Sequence, residues 1–262
     1  RISGRWSFSS GCDHCSWSFL GGFVPPHGEF NRPDMRTFLL PRADYTIVDN
    51  WNVSGLKGTG SKDVVVDDAF VPEHRTHRFS HGFALNSPGN AVNDAPLFRI
   101  PFGQLFTRTV ANPATGMLRG ALDSYLQITS RKIGQADGSK VSLDPAAQEI
   151  AANARATIDE INLVLRHDFA EMMRLARAGE PIPVEKRVQW RYHSSRSVVR
   201  AVAGVDDLFT TSGGRALFDG ADIRRYFLDA HAARAHYANN PSKPGRNLGR
   251  VLLGLQTEDW FI

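Results

Sequence analysis

The chain has 262 residues, of which 42% are hydrophobic and 22% are charged, and its formal net charge is +4. These values are ordinary for a globular protein with one large or two average domains, and no internal repeat or low-complexity tract is present. The basic residues are scattered, which argues against nucleic-acid binding and favours an anionic substrate or cofactor. Since no signal peptide and no apolar run of about 18 residues occurs, we expect a cytoplasmic protein that does not enter a membrane.

The two cysteines, Cys12 and Cys15, are spaced C-x-x-C. A zinc site needs further ligands, and a redox pair normally opens a helix, whereas these cysteines lie between two strand-like runs. Asp13 and His14 lie between them, and four adjacent residues cannot easily wrap one tetrahedral ion. We therefore expect two reduced thiols and no bound metal.

Residues 1–80 predict a small antiparallel β-barrel or sandwich, because short strand-like runs alternate with turn residues. Residues 81–103 carry Gly, Pro and Asn with little periodicity, and they predict a connection with room for one helical turn. The strand-like runs lie at residues 1–8, 16–24, 36–40, 45–48 and 63–71.

Residues 104–262 predict an antiparallel four-helix bundle, because the apolar period becomes helical and the breaks between helices are short. The first break covers Gly134 to Gly138, and Asp144-Pro145 opens the second helix with a cap and a first-turn proline. The second helix ends at 179–183, the third covers about 184–210, and the fourth covers about 220–237. The fold class is therefore α+β, with a β domain followed by a helical bundle.

Two sequence features of the β part identify a family. The chain begins with I-x-G-x-W at residues 2–6, and Trp51 is followed by G-L-K-G-T-G-S-K-D-V at residues 55–64. Followed by a helical bundle, these features resemble the acyl-CoA dehydrogenase superfamily over essentially the whole chain. The resemblance implies that residues 1–80 are the middle β domain and residues 104–262 the C-terminal bundle. The N-terminal helical domain of that family is expected to be absent from this chain.

Two segments then resemble one branch of the superfamily. Residues 6–14, W-S-F-S-S-G-C-D-H, are similar to the oxygenase components of two-component (group D) flavin-dependent monooxygenases such as p-hydroxyphenylacetate hydroxylase. Near the C-terminus, many dehydrogenases carry a Y-E pair whose glutamate removes the substrate α-proton. This chain carries His236-Tyr237 there, so no carboxylate is available for that step.

The resemblance implies catalytic roles for four residues. His236 is expected to act as the general base toward a phenol, or as a positive partner of the bound flavin and its peroxide. Tyr237 would donate a neighbouring hydrogen bond. Ser9 or Ser10 would meet flavin N5, and the backbone from Phe8 to Ser10 would contact the flavin ring. The alternatives are a structural histidine, a core tyrosine and an ordinary polar turn.

The resemblance also implies a flavin-phosphate site. Arg131 stands where dehydrogenases place a phosphate-binding arginine, often across a subunit contact, although Ser130 and Ile133 depart from the family pattern. Gly213 and Gly214 permit close backbone approach, and Arg215 is a second phosphate candidate. The alternatives are a tight turn and favourable helix C-terminal charges, worth about 0.3–1 kcal/mol.

The function implied is hydroxylation of a phenol, ortho to its hydroxyl group, through a flavin C4a-hydroperoxide. Reduced FMN (FMNH2), with FAD as the other candidate, would come from a separate NAD(P)H-flavin reductase, and dioxygen would be the co-substrate. A homotetramer is expected. Two rival hypotheses are an FAD-dependent acyl-CoA dehydrogenase-like enzyme with a relocated base, and a non-enzymatic assembly partner.

Overall fold

The structure is a computed structural model that describes residues 1–26, 33–134, 138–259 and 262. The chain divides into two compact units, Arg1–Pro101 and Phe102–Ile262. The first is the β unit and the second is the bundle unit. No described helix is both long and apolar enough to cross a bilayer.

The described part of the β unit contains two three-stranded antiparallel sheets. Their strands are β1 (Ile2–Ser9), β2 (Trp17–Val24), β3 (Asp34–Pro41), β4 (Thr46–Val48), β5 (Lys62–Ala69) and β6 (Thr76–Arg78). In the first sheet the strand order is β1-β5-β4, and Trp6 on β1 lies opposite Val64 on β5. In the second sheet the order is β2-β3-β6, and Phe19 lies opposite Leu39.

Both sheets contribute to one hydrophobic core, so the predicted antiparallel sandwich is confirmed. Leu20 and Leu40 from the second sheet pack in one cluster with Val64 and Val66 from the first. The Trp6 indole N–H donates a hydrogen bond to the Gly21 carbonyl at 2.6 Å and so links the two sheets. In a sandwich of this kind, side chains that point inward from both sheets interdigitate and form the core between them.

The segment predicted as a connection holds more local structure than its weak periodicity indicates. Helix α1 (Phe79–Ala84) is followed by 3-10 turns at Pro88–Ala91 and Pro96–Arg99. Each turn begins with a proline, because the fixed φ of proline suits the first helical position.

The described part of the bundle unit contains three long helices and two shorter ones. The long helices are α2 (Phe102–Arg131), α3 (Pro145–Ala178) and α4 (Val184–Ser212), and the shorter ones are α5 (Asp222–Arg234) and α6 (Ser242–Leu252). Arg108 on α2 pairs with Asp168 on α3, and Tyr125 bonds to Ala147, so these two helices are antiparallel. The predicted second-helix cap is confirmed, because the Asp144 carboxylate accepts from the Ala146 amide at 3.0 Å.

Small residues let α2 pack closely against its neighbours. A side chain on Gly120 would lie 2.3 Å from the Tyr226 ring of α5, and one on Gly204 of α4 would lie 2.9 Å from Leu118. The bundle core is lined by fully buried aliphatic residues, including Leu118, Val198, Val202, Val205, Leu208 and Ile223.

The predicted fourth helix is wrong at its C-terminal end. Helix α5 ends at Arg234, and His236 instead caps a separate 3-10 turn, Tyr237–Asn239. The turn forms because the His236 ring accepts the Ala238 amide hydrogen, which competes with continuation of the helix. Helix α6 was not predicted.

Candidate functional site

In the β unit, the end of β1 has unusual backbone geometry at Phe8. Its φ is 61°, although bulky residues with positive φ are uncommon and cost about 1–3 kcal/mol. The Phe8 ring is 75% exposed and touches Trp51 edge to face, with ring centroids 5.9 Å apart. The strained backbone therefore presents an aromatic ring to solvent beside the two predicted serines.

The hydroxyl groups of the two serines differ in their surroundings. The Ser10 hydroxyl lies 2.8 Å from the Ser61 hydroxyl, which lies 2.7 Å from the Thr59 hydroxyl. Thr59 in turn donates to the Leu56 carbonyl at 2.8 Å. Among the described residues, the Ser9 hydroxyl makes only a long 3.4 Å bond, to the carbonyl of Trp6 in its own strand.

Thr59 and Ser61 lie in the turn before β5. We call the three hydroxyl groups of Ser10, Ser61 and Thr59 the hydroxyl relay. The antiparallel register places Ser9 opposite Lys62, and the Gly11 amide donates to the Thr59 carbonyl at 2.9 Å. Sequence reasoning missed Thr59 and Ser61 as site residues. The available signal was the run of glycines alternating with hydroxyl residues at 58–61, next to a strand that pairs with β1.

In the bundle unit, His236 lies within an aromatic cluster. Its half-buried ring is 4.8 Å from the Tyr237 ring and 6.3 Å from the Phe106 ring, measured between centroids. Phe106 also stacks on Phe102 at 5.5 Å. Tyr237 is 64% exposed and stacks on Phe106 at 6.4 Å, so the cluster has an open side.

The hydrogen bond of His236 determines where its proton resides. Nδ1 accepts from the Ala238 amide at 3.1 Å, so Nδ1 keeps its lone pair and the neutral ring carries its proton on Nε2. Burial, and then the positive charge of Arg191, lower the pKa of His236. Near neutral pH the ring is therefore uncharged and offers an N–H donor through Nε2.

Sequence reasoning did not identify Arg191. Its side chain is only 5% exposed, and its Nε and Nη1 atoms have no hydrogen-bond partner within the described part of the chain. Burial lowers the pKa of this guanidinium, while Asp259 and Tyr237 act in the opposite direction. No periodicity marks a buried arginine in a helix, because arginine usually lies on the surface.

A buried carboxylate on α3 was also missed by sequence reasoning. Asp168, 1% exposed, accepts from His193 Nδ1 at 2.9 Å and pairs with Arg108 at 3.4 Å. The buried carboxylate is thus compensated by the Arg108 guanidinium of α2 and by a hydrogen bond from His193 of α4. By contrast, His231 is exposed and pairs with Asp206 at 2.7 Å, which gives it a surface role.

The predicted phosphate site lies at the opposite end of α2 from His236. Gly213 has φ 79° and ψ −171°, a backbone conformation that essentially only glycine adopts. The Lys132 ammonium donates to the Ser212 carbonyl at 3.0 Å, and a side chain on Gly213 would lie 3.0 Å from that ammonium. Arg131, which precedes Lys132, and Arg215, which follows Gly214, are both exposed. Gly214 has open space around it among the described residues.

The structure therefore separates the predicted residues of the bundle into two clusters. At about 1.5 Å per residue, α2 spans about 37 Å from Phe106, beside His236, to Arg131. This is far longer than the ribityl chain that joins a flavin ring to its phosphate. One flavin cannot contact both His236 and Arg131 of the same chain.

A cleft of about 490 Å³ lies between α2 and α3 and is lined partly by Asn112, Arg119, Asn162 and Arg166. It contains none of the predicted site residues. Within the described ranges, no group of three or more His, Cys, Asp or Glu side chains is arranged to hold a metal ion. Cys12 and Cys15 are free thiols.

Comparison with known proteins gives consistent matches. Residues 108–241 match the family described as "Acyl-CoA dehydrogenase, C-terminal domain". The chain is 40% identical over 263 residues to the flavin-dependent monooxygenase oxygenase subunit HsaA of Rhodococcus jostii RHA1, covering 100% of this chain and 68% of that protein. It is 31% identical to the oxygenase component of the FADH2-dependent resorcinol hydroxylase of Rhizobium sp. MTP-10005, covering 100% of this chain and 66% of the relative.

A solved structure agrees with these relatives. The crystal structure of the 3-HSA hydroxylase from Rhodococcus sp. RHA1 superimposes with a TM-score of 0.92 and 39% identity, covering 99% of this chain and 66% of that chain. The chain thus spans about two thirds of the length of the proteins it matches.

Proposed function

The chain belongs to the acyl-CoA dehydrogenase family, among the oxygenase components of flavin-dependent monooxygenases, and from this membership we propose that it hydroxylates a phenol with reduced flavin and dioxygen. The proposal rests mainly on His236, which stands where many dehydrogenases of the family carry their catalytic glutamate. A neutral histidine, not a carboxylate, lies there in an aromatic cluster open on one side. Such a group does not suit removal of an α-proton but suits recognition of a phenolic oxygen.

The described residues fit a flavin. In the β unit, an exposed aromatic ring on a strained backbone adjoins the Ser9 and Ser10 hydroxyls, which offers both an apolar face and polar contacts for an isoalloxazine edge. In the bundle unit, the glycine-only backbone at Gly213 and the Lys132 ammonium suit a phosphate. When bound, reduced flavin supplies the chemistry that activates dioxygen.

We propose that His236 acts as a hydrogen-bond donor and not as the general base expected from the sequence. The ring nitrogen that a base would need in order to accept a phenolic proton, Nε2, already carries a proton, because Nδ1 is held by the Ala238 amide. A donor at Nε2 stabilises a phenolate or another developing oxygen charge. Tyr237, exposed beside it, would add a second hydroxyl contact.

The distance between the two clusters suggests that the phosphate is bound across a subunit contact. Because α2 separates Arg131 from His236 by about 37 Å, we propose that Arg131, Gly213, Gly214 and Arg215 serve a flavin held by a second copy. A homotetramer would supply such copies in symmetric pairs.

Reduced FMN is the proposed flavin, delivered by a separate NAD(P)H-flavin reductase in the cytoplasm. The names of the relatives as an oxygenase subunit or component support a separate reductase. The name of the resorcinol hydroxylase specifies FADH2, which makes FADH2 the matched comparison in binding assays.

The test is a hydroxylation assay on the full-length protein. A flavin reductase and NADH would generate FMNH2 in the presence of resorcinol, p-hydroxyphenylacetate and other phenols, under isotopically labelled dioxygen. We expect a product that has gained one labelled oxygen atom. Failure with every phenol, together with bleaching of a tightly bound FAD by an acyl-CoA without oxygen, would establish the dehydrogenase alternative instead.

Shared sites can be tested by complementation. Co-expression of His236→Ala and Arg131→Gln chains should restore activity at about a quarter of the sites, because random mixing pairs an intact His236 with an intact Arg131 from another copy. No gain over the two separate variants would show that each chain binds its flavin alone.

A further inference from the structure

We propose that the hydroxyl relay makes Ser10 a hydrogen-bond acceptor and thereby selects reduced over oxidised flavin. This inference rests on the proposed function, since it concerns the flavin that Ser10 would meet. It assigns positioning roles to Ser61 and Thr59 and it chooses Ser10 over Ser9.

The direction of the relay follows from counting protons. A hydroxyl group has one hydrogen to donate. Thr59 directs its hydrogen to the Leu56 carbonyl at 2.8 Å, which can only accept. At the 2.7 Å contact Ser61 must therefore donate to Thr59, and at the 2.8 Å contact Ser10 must donate to Ser61.

The Ser10 oxygen is then left with lone pairs only. Ser61 is 5% exposed, so solvent does not readily replace it as the partner of Ser10. Ser10 itself is exposed and its oxygen can meet a ligand. By contrast, within the part of the chain that the structure describes, the hydroxyl of Ser9 makes only a 3.4 Å bond to the Trp6 carbonyl, so its hydrogen can turn toward a ligand.

Flavin N5 changes its hydrogen-bonding character with redox state. In reduced flavin N5 carries a hydrogen and donates, whereas in oxidised flavin N5 has only a lone pair and accepts. An acceptor-only Ser10 pairs with the reduced form and faces the oxidised form lone pair to lone pair. Because this contact is unfavourable with oxidised flavin, it would favour release of the oxidised form from an oxygenase that receives reduced flavin by diffusion.

The relay can be changed without touching Ser10 or Ser61. In a Thr59→Val variant the side-chain shape is kept but the acceptor for Ser61 is lost. Ser61 can then donate to Ser10, whose own hydrogen becomes available to oxidised flavin. Thr59→Ser keeps the hydroxyl group and is the matched control.

The measurement is the ratio of dissociation constants for oxidised and reduced FMN, from fluorescence titration in air and anaerobic titration with dithionite-reduced FMN. We expect Thr59→Val to lower the reduced-flavin preference by about tenfold, the size of one hydrogen bond, and Thr59→Ser to retain it. Ser10→Ala should also lower the preference for reduced FMN by about tenfold, whereas Ser9→Ala should not lower it.

Each outcome bears on a separate claim. A wild-type ratio in both Thr59→Val and Ser10→Ala would overturn the relay while leaving the proposed function intact. A change in Ser9→Ala and not in Ser10→Ala would also overturn it. Failure of the wild-type protein to bind reduced FMN or reduced FAD would refute the proposed function itself.

Discussion

The donor role of His236 can be separated from a base role by two substitutions, each of which keeps one of the two hydrogen-bonding functions of the imidazole ring. His236→Asn places a carboxamide oxygen where Nδ1 accepts from the Ala238 amide at 3.1 Å, but it removes the Nε2 donor. His236→Gln removes the cap but extends a carboxamide N–H toward the position of Nε2. Neither side chain can act as a base.

The expected magnitudes differ between the two roles. A hydrogen bond to a charged oxygen is worth about 1.5–3 kcal/mol, which is a factor of about 10 to 150 in rate. The hydroxylation rate of His236→Asn should fall by that factor, while the free energy of unfolding should change little because asparagine is among the best N-caps. His236→Gln should stay within several-fold of the wild-type rate and lose about 0.5–2 kcal/mol of stability with the cap.

The assay is single-turnover hydroxylation of the phenol that the wild-type protein turns over best, with release of hydrogen peroxide measured in parallel. Urea unfolding of the same samples gives the change in stability. If His236 acts as a base, both variants should lose about 10²–10⁴-fold in rate, and the acid limb of the pH profile should disappear. Equal losses in the two variants would refute the donor role.

Three further expectations concern stability. Gly116→Ala should stabilise the bundle by up to about 1 kcal/mol, because no described atom lies within 4 Å of the added methyl group. Gly120→Ala should destabilise the bundle by about 1–3 kcal/mol, because its methyl group would lie 2.3 Å from a tyrosine ring. The thermal unfolding temperatures of the two variants should therefore shift in opposite directions. Gly213→Ala should cost about 1–3 kcal/mol because its φ is 79°, while Gly214→Ala should be nearly neutral in the same measurement. Because the pKa of His236 is lowered by folding, the unfolded chain takes up a proton first as the pH falls below about 6.5, so the free energy of unfolding should decline there, and less steeply in His236→Asn. An unchanged slope in that variant would show that His236 does not contribute to the acid destabilisation.

Local patterns predicted most of the secondary structure. Asp144 and Gly179 set the limits of α3 as expected, because a cap and a left-handed terminating residue act through their immediate neighbours. The end of α5 was misjudged because the competing interaction, the His236 ring with the Ala238 amide, involves a side chain that has no strong helix-ending preference. Helix α6 was missed because proline and glycine lie inside it.

The candidate site was predicted less completely. The resemblance to a family selected Ser9, Ser10 and His236, and the structure gives each of them distinct hydrogen-bond partners. The run at 58–61 gave a local signal for Ser61 that sequence reasoning missed. Arg191 could not be predicted, because it acts through burial beside residues distant in sequence. Pairing of β1 with β5 and packing of α4 near the end of α5 create those surroundings.

The amino-acid sequence was enough to predict the family, most of the strands and helices, and the residue types available for chemistry. Those properties depend on hydrophobic period and short motifs, which are local. Which atoms donate and which accept depends instead on contacts that form when the chain folds. A serine or a histidine can do either, and the choice depends on where its single proton is directed. Thr59 and Ser61 direct the proton of Ser10, and the Ala238 amide directs the proton of His236. The same structure separated Arg131 from His236 by the length of a helix, a distance that the family resemblance did not reveal.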